Sequence, residues 1–124
     1  MAALPFIVLI EPDWPARSYF RAELEELGYA VSAHERAADA ARFLARWGLR
    51  PDLIVVDLAS DGEQLAALQR LIEDFPGTRL LVLASPLRAL PEWLRQRANR
   101  ILFRPFAVGD VVRIVSELAP LIER

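Results

Sequence analysis

Cysteine is absent from the 124 residues. That removes disulfide frameworks, thiol nucleophiles and cysteine-based metal sites from consideration. Lysine is absent too: all 15 basic residues are Arg, a bias that, with the abundant Ala and Leu, follows codon usage rather than function. His34 is the only histidine, and it reads as a solvated loop residue rather than a ligand. No apolar run approaches the roughly 18–20 residues of a membrane span. The start, Met1-Ala2-Ala3-Leu4-Pro5, lacks the basic and long apolar segments of a secretion signal, so a cytoplasmic location is expected. A net charge of −2 gives no reason to expect nucleic-acid binding. Repeats, linkers and low-complexity segments are missing as well. What remains is a chain that is 54% hydrophobic, rich enough for a packed core and the right size for a single domain over residues 1–124.

Apolar periodicity divides the chain into alternating elements. Phe6-Ile7-Val8-Leu9-Ile10 and Leu53-Ile54-Val55-Val56 are short continuous apolar runs with β-branched residues. They read as strands buried on both faces. Leu80-Leu81-Val82-Leu83 is a third such run; Tyr29 to Ala33 and Arg100 to Phe103 are weaker strands. Between them, apolar residues recur at helical spacing. Phe20, Leu24 and Leu27 form one inner face, and Ala40, Phe43, Leu44 and Trp47 a second. Leu65, Leu68, Leu71 and Ile72 form a third, and Val111, Ile114, Val115 and Leu118 the last. A short helix with Leu90, Trp93 and Leu94 is interrupted or started by Pro91. Gly28 and Gly48 stand where positive φ ends a helix, and Asp61-Gly62-Glu63-Gln64 resembles a capping box. The order βαβαβαβαβα predicts an α/β protein with a parallel sheet covered on both faces.

In such a sheet, ligands bind beyond the carboxyl ends of the strands, where strand order reverses. The polar residues there are Glu11 and Asp13 after the first strand, Asp57 after the third, Ser85 after the fourth and Arg104 after the fifth. If strands one and three are neighbours, Glu11 or Asp13 lies near Asp57, with the Ser85 hydroxyl and the Arg104 cation on the far side. Two or three carboxylates with a strand-end carbonyl suit Mg²⁺. A carboxylate beside Mg²⁺ can attack a phosphoryl group and form an acyl phosphate.

Three segments, Ile7-Val8-Leu9-Ile10-Glu11, Pro51-Asp52-Leu53-Ile54-Val55-Val56-Asp57-Leu58 and Phe103-Arg104-Pro105-Phe106, in that order and spacing, resemble the response-regulator receiver family of two-component signalling. The resemblance runs along nearly the whole chain. It implies a doubly wound, flavodoxin-like, five-stranded parallel sheet in the order 2-1-3-4-5, with Asp57 as phosphoacceptor. It implies a metal site of Glu11, Asp13, Asp57 and the backbone carbonyl of Ala59. Ser85, Arg104 and Ile101 fall at phosphate-sensing or switch positions, and Pro105 at a cis-proline position.

Departures from the family pattern cluster at this site. The second of two adjacent acidic residues after the first strand is replaced by Pro12, with Asp13 one residue later, so the Mg²⁺ site is incomplete unless Asp13 swings in. The usual Lys is Arg104, whose planar fork is not a conservative replacement. The switch Ser/Thr is Ser85 or, in a stricter register, Ala84. The aromatic switch position is Ile101. The loop after Asp57 lacks its usual Pro-x-Met-Asp-Gly run. The pattern resembles degenerate, atypical receivers.

Plainer roles compete for the same residues. Asp13 and Asp61 can cap helices, Ser85 can be a loop hydroxyl, Arg104 can simply neutralise Asp57, and Trp47 and Trp93 can pack helices against the sheet. Two functions follow. In the first, a histidine kinase phosphorylates Asp57 with Mg²⁺ help, and the face formed by the fourth helix, fifth strand and fifth helix, with Leu90, Trp93 and Ile101, carries the output or a homodimer. In the second, a pseudo-receiver binds or dimerises without phosphorylation. A flavodoxin-like cofactor binder is disfavoured, because Glu11-Pro12-Asp13-Trp14-Pro15 has none of the Ser, Thr or Gly donors that cradle a phosphate.

Overall fold

The computed structural model describes residues 4–58 and 64–121. Its elements are β1 (Phe6–Ile10), α1 (Trp14–Glu26), β2 (Ala30–His34), α2 (Ala37–Trp47), β3 (Leu53–Asp57), α3 (Gln64–Asp74), β4 (Arg79–Ala84), α4 (Glu92–Arg97), β5 (Arg100–Phe103) and α5 (Val108–Leu118). Every strand pair is parallel, and the sheet runs β2-β1-β3-β4-β5. Strand order therefore reverses at β1, which puts the switch point between β1 and β3.

The continuous apolar runs follow from burial on both faces. Val8, Ile10, Ile54, Val56, Leu80 and Val82 point into one core layer, with Ala40 and Leu44 of α2, Leu68, Leu71 and Ile72 of α3 and Leu94 of α4. Ile7, Leu9, Leu53, Val55, Leu81 and Leu83 point into the other, with Phe20 and Leu24 of α1 and Val111, Ile114 and Val115 of α5. Alternation of side chains along each strand divides the residues between the layers.

Local chemistry sets the helix ends. Asp13 caps α1, its Oδ2 accepting from the Ala16 N–H at 3.0 Å, and Pro15 follows in the first turn. Gly48 closes α2 in the left-handed region (φ 61°), and Gly28 follows α1 with φ 109°. Arg36 gives α2 no side-chain cap; instead the buried Gln64 reaches across from α3, its Oε1 accepting from the Ala37 N–H at 2.8 Å. Of the capping box read from the sequence, Asp61, Gly62 and Glu63 lie outside the described residues, and Gln64 serves the neighbouring helix.

Two helix-face expectations need correction. Trp47 is 60% exposed, with the Arg46 guanidinium 5.4 Å from its ring centroid, and Leu27 is 44% exposed. Both stand one residue before the glycine that follows their helix. Their periodicity turns them inward, but the helix ends before the sheet can cover them. Trp93, in contrast, is half-buried and packs on the layer beneath α2, α3 and α4, beside Leu90 and Ile101. His34 is no loop residue. It ends β2, half-buried, with its Nε2 bonded to the Ser32 hydroxyl and its ring 5.1 Å from that of Phe43. Burial lowers its pKa. Among the described residues, no helix is long and apolar enough to cross a membrane.

Candidate functional site

Strand register assembles the site. Ile10 pairs with Val56 across the β1–β3 ladder, so Glu11 and Asp57, one residue further on, leave adjacent strands side by side. Neighbouring strands lie about 4.8 Å apart, and both carboxyls are buried, each residue only 2% exposed. Two carboxyls so placed cannot both ionise cheaply. Burial, reinforced by a hydrogen bond to Asp57 and by its charge, pushes the Glu11 carboxyl up from 4.5 to about 8. Burial beside Asp57 thus favours the protonated form of Glu11. The opposing influences are the Asp13 N–H, which donates to Glu11 Oε2 at 3.1 Å, and the positive charge of Arg104.

Arg104 enters from the other side. It follows β5, two strands from β3, and its N–H is anchored on the Ala84 carbonyl at 2.9 Å. Its side chain crosses the end of β4, where Ala84 offers only a methyl group, and its Nη2 donates to Asp57 Oδ2. The guanidinium carbon lies 4.9 Å from the Phe106 ring centroid, a cation–π placement. Asp57 is the buried partner of this ion pair; the Arg104 side chain keeps 38% of its surface in solvent. The Arg104–Pro105 peptide bond is cis.

The other described sequence-predicted residues have further partners of their own. The Asp13 side chain is exposed and engaged as the α1 cap. Ser85 follows the last residue of β4, and its Oγ accepts from the Leu87 N–H at 3.2 Å, closing a turn. Ala84, the stricter-register alternative, is the buried end of β4. Ile101 pairs with Val82 inside the sheet and packs toward the α4 side. Ala59 lies outside the described residues. Two contributors escaped sequence reading. Arg17 donates from Nη1 to the Glu11 carbonyl at 2.8 Å and the Pro12 carbonyl at 3.3 Å, pinning the β1–α1 loop. Phe106 supplies the ring under Arg104. Arg17 is one of many Arg residues on helix surfaces, and no local pattern marks it; Phe106 was visible only as part of the Phe103-Arg104-Pro105-Phe106 segment.

These donors do not fit Mg²⁺. The ion takes six oxygens in near-octahedral geometry and depends on carboxylate charge. Pro12 offers no side-chain donor, Asp13 is spent on the helix, and Arg104 already neutralises Asp57. Among the described residues, no group of three or more His, Cys, Asp or Glu side chains is placed to hold a metal ion.

No protein-family profile matches the chain, and no curated protein matches it in sequence. Its structure, however, closely resembles solved receivers. A response regulator receiver protein from Burkholderia phymatum superposes with a TM-score of 0.77 at 20% identity, over 95% of this chain and 97% of that one. A response regulator from Thermotoga maritima gives 0.71 at 22% identity, over 94% and 98%. A CheY-like receiver domain protein from Methanospirillum hungatei gives 0.77 at 15% identity, over 93% and 94%. With five parallel strands in the order β2-β1-β3-β4-β5 and carboxylates at the β1 and β3 ends, the chain has the fold of the response-regulator receiver domain.

Proposed function

We propose that this chain is a signalling module of the receiver type that works by binding a partner protein and does not depend on phosphorylation of Asp57. It is a single domain, with no catalytic turnover of its own, acting in the cytoplasm. The observation that carries the reading is the Arg104–Asp57 ion pair. A carboxylate that is to attack phosphorus must present a free lone pair and have a cation to offset charge on the phosphoryl oxygens. Here a guanidinium already neutralises Asp57 through Oδ2, and burial beside Asp57 disfavours the Glu11 charge on which a second, metal cation would depend.

The partner surface of this reading is the α4–β5–α5 face. Leu87, in the β4–α4 loop, is 93% exposed, and Phe103, at the end of β5, 46%. They are better anchors than Trp93, which is already half-used in the core. A protein partner, including a second copy of this chain, fits such apolar points; a nucleic acid does not, since the net charge is −2.

The phosphoacceptor reading, with a histidine kinase as donor and Mg²⁺ as helper, retains one specific support: Asp57 stands at the end of β3, at the switch point. One experiment separates the two. The protein is incubated with acetyl phosphate and Mg²⁺ and its intact mass followed beside Asp57→Asn. No phosphoryl adduct on either is expected. An adduct on the wild type that Asp57→Asn abolishes overturns the phosphorylation-independent reading.

A further inference from the structure

We propose that Arg104 is the built-in cation of this site, so that its guanidinium excludes divalent metal ions from the Asp57 carboxylate. The inference uses the same ion pair as the reading above, but it concerns cation occupancy rather than phosphoryl chemistry, and either can fail without the other.

The guanidinium is held firmly at three points. The Arg104 backbone N–H is fixed to Ala84, the guanidinium lies over the Phe106 ring, and Nη2 donates to Asp57 Oδ2. A side chain anchored at its root, along its plane and at its tip is not a loose surface charge that a competing ion displaces at little cost. Such a planar fork is also preorganised for a carboxylate in a way an ammonium is not.

The charges and donors point the same way. The described carboxylates that meet here are Glu11 and Asp57, and one already carries the Arg104 charge. A dication brought to the same carboxylates sits within ion-pair range of a fixed positive charge, and among the described residues two side chains are available to replace its water ligands. Among the described residues, Glu11 Oε1 and Arg104 Nη1 are buried and accept or donate no hydrogen bond to another described donor or acceptor besides the carboxyl contact with Asp57. They are an acceptor and a donor. A proton on the Glu11 carboxyl or a neutral polar molecule serves them; a dication suits the first and is repelled by the second.

Mg²⁺ titration of the intact chain tests this, read by tryptophan fluorescence and by the unfolding temperature. Trp14, 67% exposed and adjacent to Asp13, reports from the β1–α1 end of the site. Wild type should show no saturable response through the millimolar range. Arg104→Gln, which keeps a planar polar group but removes the charge, should bind saturably and gain unfolding temperature with Mg²⁺. Adding Pro12→Asp to that variant should tighten binding about tenfold by supplying another carboxylate. Pro12→Asp alone, with Arg104 intact, should bind no more than wild type. This arm keeps the test decisive if Arg104→Gln folds poorly.

Saturable binding by wild type that Asp57→Asn abolishes overturns the proposal. So does saturable binding by Pro12→Asp alone, or a folded Arg104→Gln that binds nothing. The last result assigns metal exclusion to the missing carboxylate alone. A phosphoryl adduct on a wild type that binds no Mg²⁺ leaves this inference standing and breaks only the phosphorylation-independent reading.

Discussion

The two ends of the sheet handle polar groups differently. At the amino-terminal ends of the strands, polar side chains mend the backbone. Asp52 Oδ2 accepts from the Phe6 N–H at 2.7 Å, and Asn99 Oδ1 from the Leu80 N–H at 2.8 Å. The buried Thr78 hydroxyl donates to the Pro51 carbonyl at 2.8 Å. Arg97 donates to the Phe75 and Thr78 carbonyls, and Arg79 to the Leu118 carbonyl. Each pairs a side chain with a main-chain group that a strand or helix end leaves unmatched. At the carboxyl-terminal ends Asp13, Ser85 and Arg17 also serve the backbone, but there, in addition, buried side chains meet one another: two carboxyls, one of them with a raised pKa, and one guanidinium. The first arrangement stabilises the fold and does nothing else. The second costs stability and persists where chemistry or charge control has a use, so the contrast locates function at one end.

Arg104→Ala should show the largest difference between the two ends. Removing Arg104 takes the cation from a buried ion pair whose buried member is Asp57. A loss of about 3 kcal/mol is expected, at the low end for such pairs because Arg104 is partly solvated. Thr78→Val at the opposite end should cost only about 1 kcal/mol, one hydrogen bond's worth. Urea unfolding of both variants at neutral pH measures the pair. Equal losses would mean the two ends are energetically alike.

The second test is pH. Glu11 titrates near 8 in the folded chain against an ordinary 4.5, and an acid whose folded pKa is raised favours folding only while protonated. Its contribution is therefore fully present below the ordinary value and is lost as pH rises through the window between the two. The slope is at most about 1.4 kcal/mol per pH unit. Glu11→Gln, neutral throughout, should flatten that slope and be the more stable form at the alkaline end by roughly 2 kcal/mol. Unfolding at several pH values across the window decides it. A wild type that gains stability from pH 5 to 8, with a Gln variant that follows the same curve, would show that Glu11 is ionised in the fold.

How much of this was legible in the sequence follows from the range of the forces involved. The runs Phe6–Ile10, Leu53–Val56 and Leu80–Leu83 announce buried parallel strands because burial on both faces leaves no room for alternation. The strand ends then put Glu11, Asp57 and Arg104 at one edge, and the register joins them. What was not legible depends on tertiary partners that no local pattern marks. Gln64 caps α2 across 27 positions, and Arg17 ties down the loop from α1. His34 extends β2 by one residue, with its carbonyl accepting from the Glu11 N–H. Trp47 and Leu27 obey the helical period but outrun the sheet, because periodicity gives direction and says nothing about where cover ends. The choice between cap and ligand at Asp13 was likewise undecidable locally, since the same carboxylate after a strand suits both.

The smallest expected effect bears on that choice. In the structure Asp13 Oδ2 accepts from the Ala16 N–H, and the first turn of α1 carries no acidic residue of its own. The Asp13 carboxylate thus both satisfies an orphan donor and supplies the negative charge that the helix amino terminus favours. Asp13→Ala should cost about 1 kcal/mol. Asp13→Asn and Asp13→Ser, which keep an accepting oxygen, should recover all but a few tenths of a kcal/mol, the remainder being the lost charge–dipole attraction, which weakens in salt. None of these values should change when Mg²⁺ is added. A metal ligand behaves otherwise: its loss shows only with the ion present, and Asn or Ser, lacking the charge, fails to restore it. The Asp13 N–H survives all three substitutions and continues to hold Glu11 Oε2, so the Glu11 titration stays in place as an internal control. A Mg²⁺-dependent difference between Asp13 and Asn would move this residue from the helix to the site, and with it part of the reason for treating the carboxyl-terminal end as closed to metal.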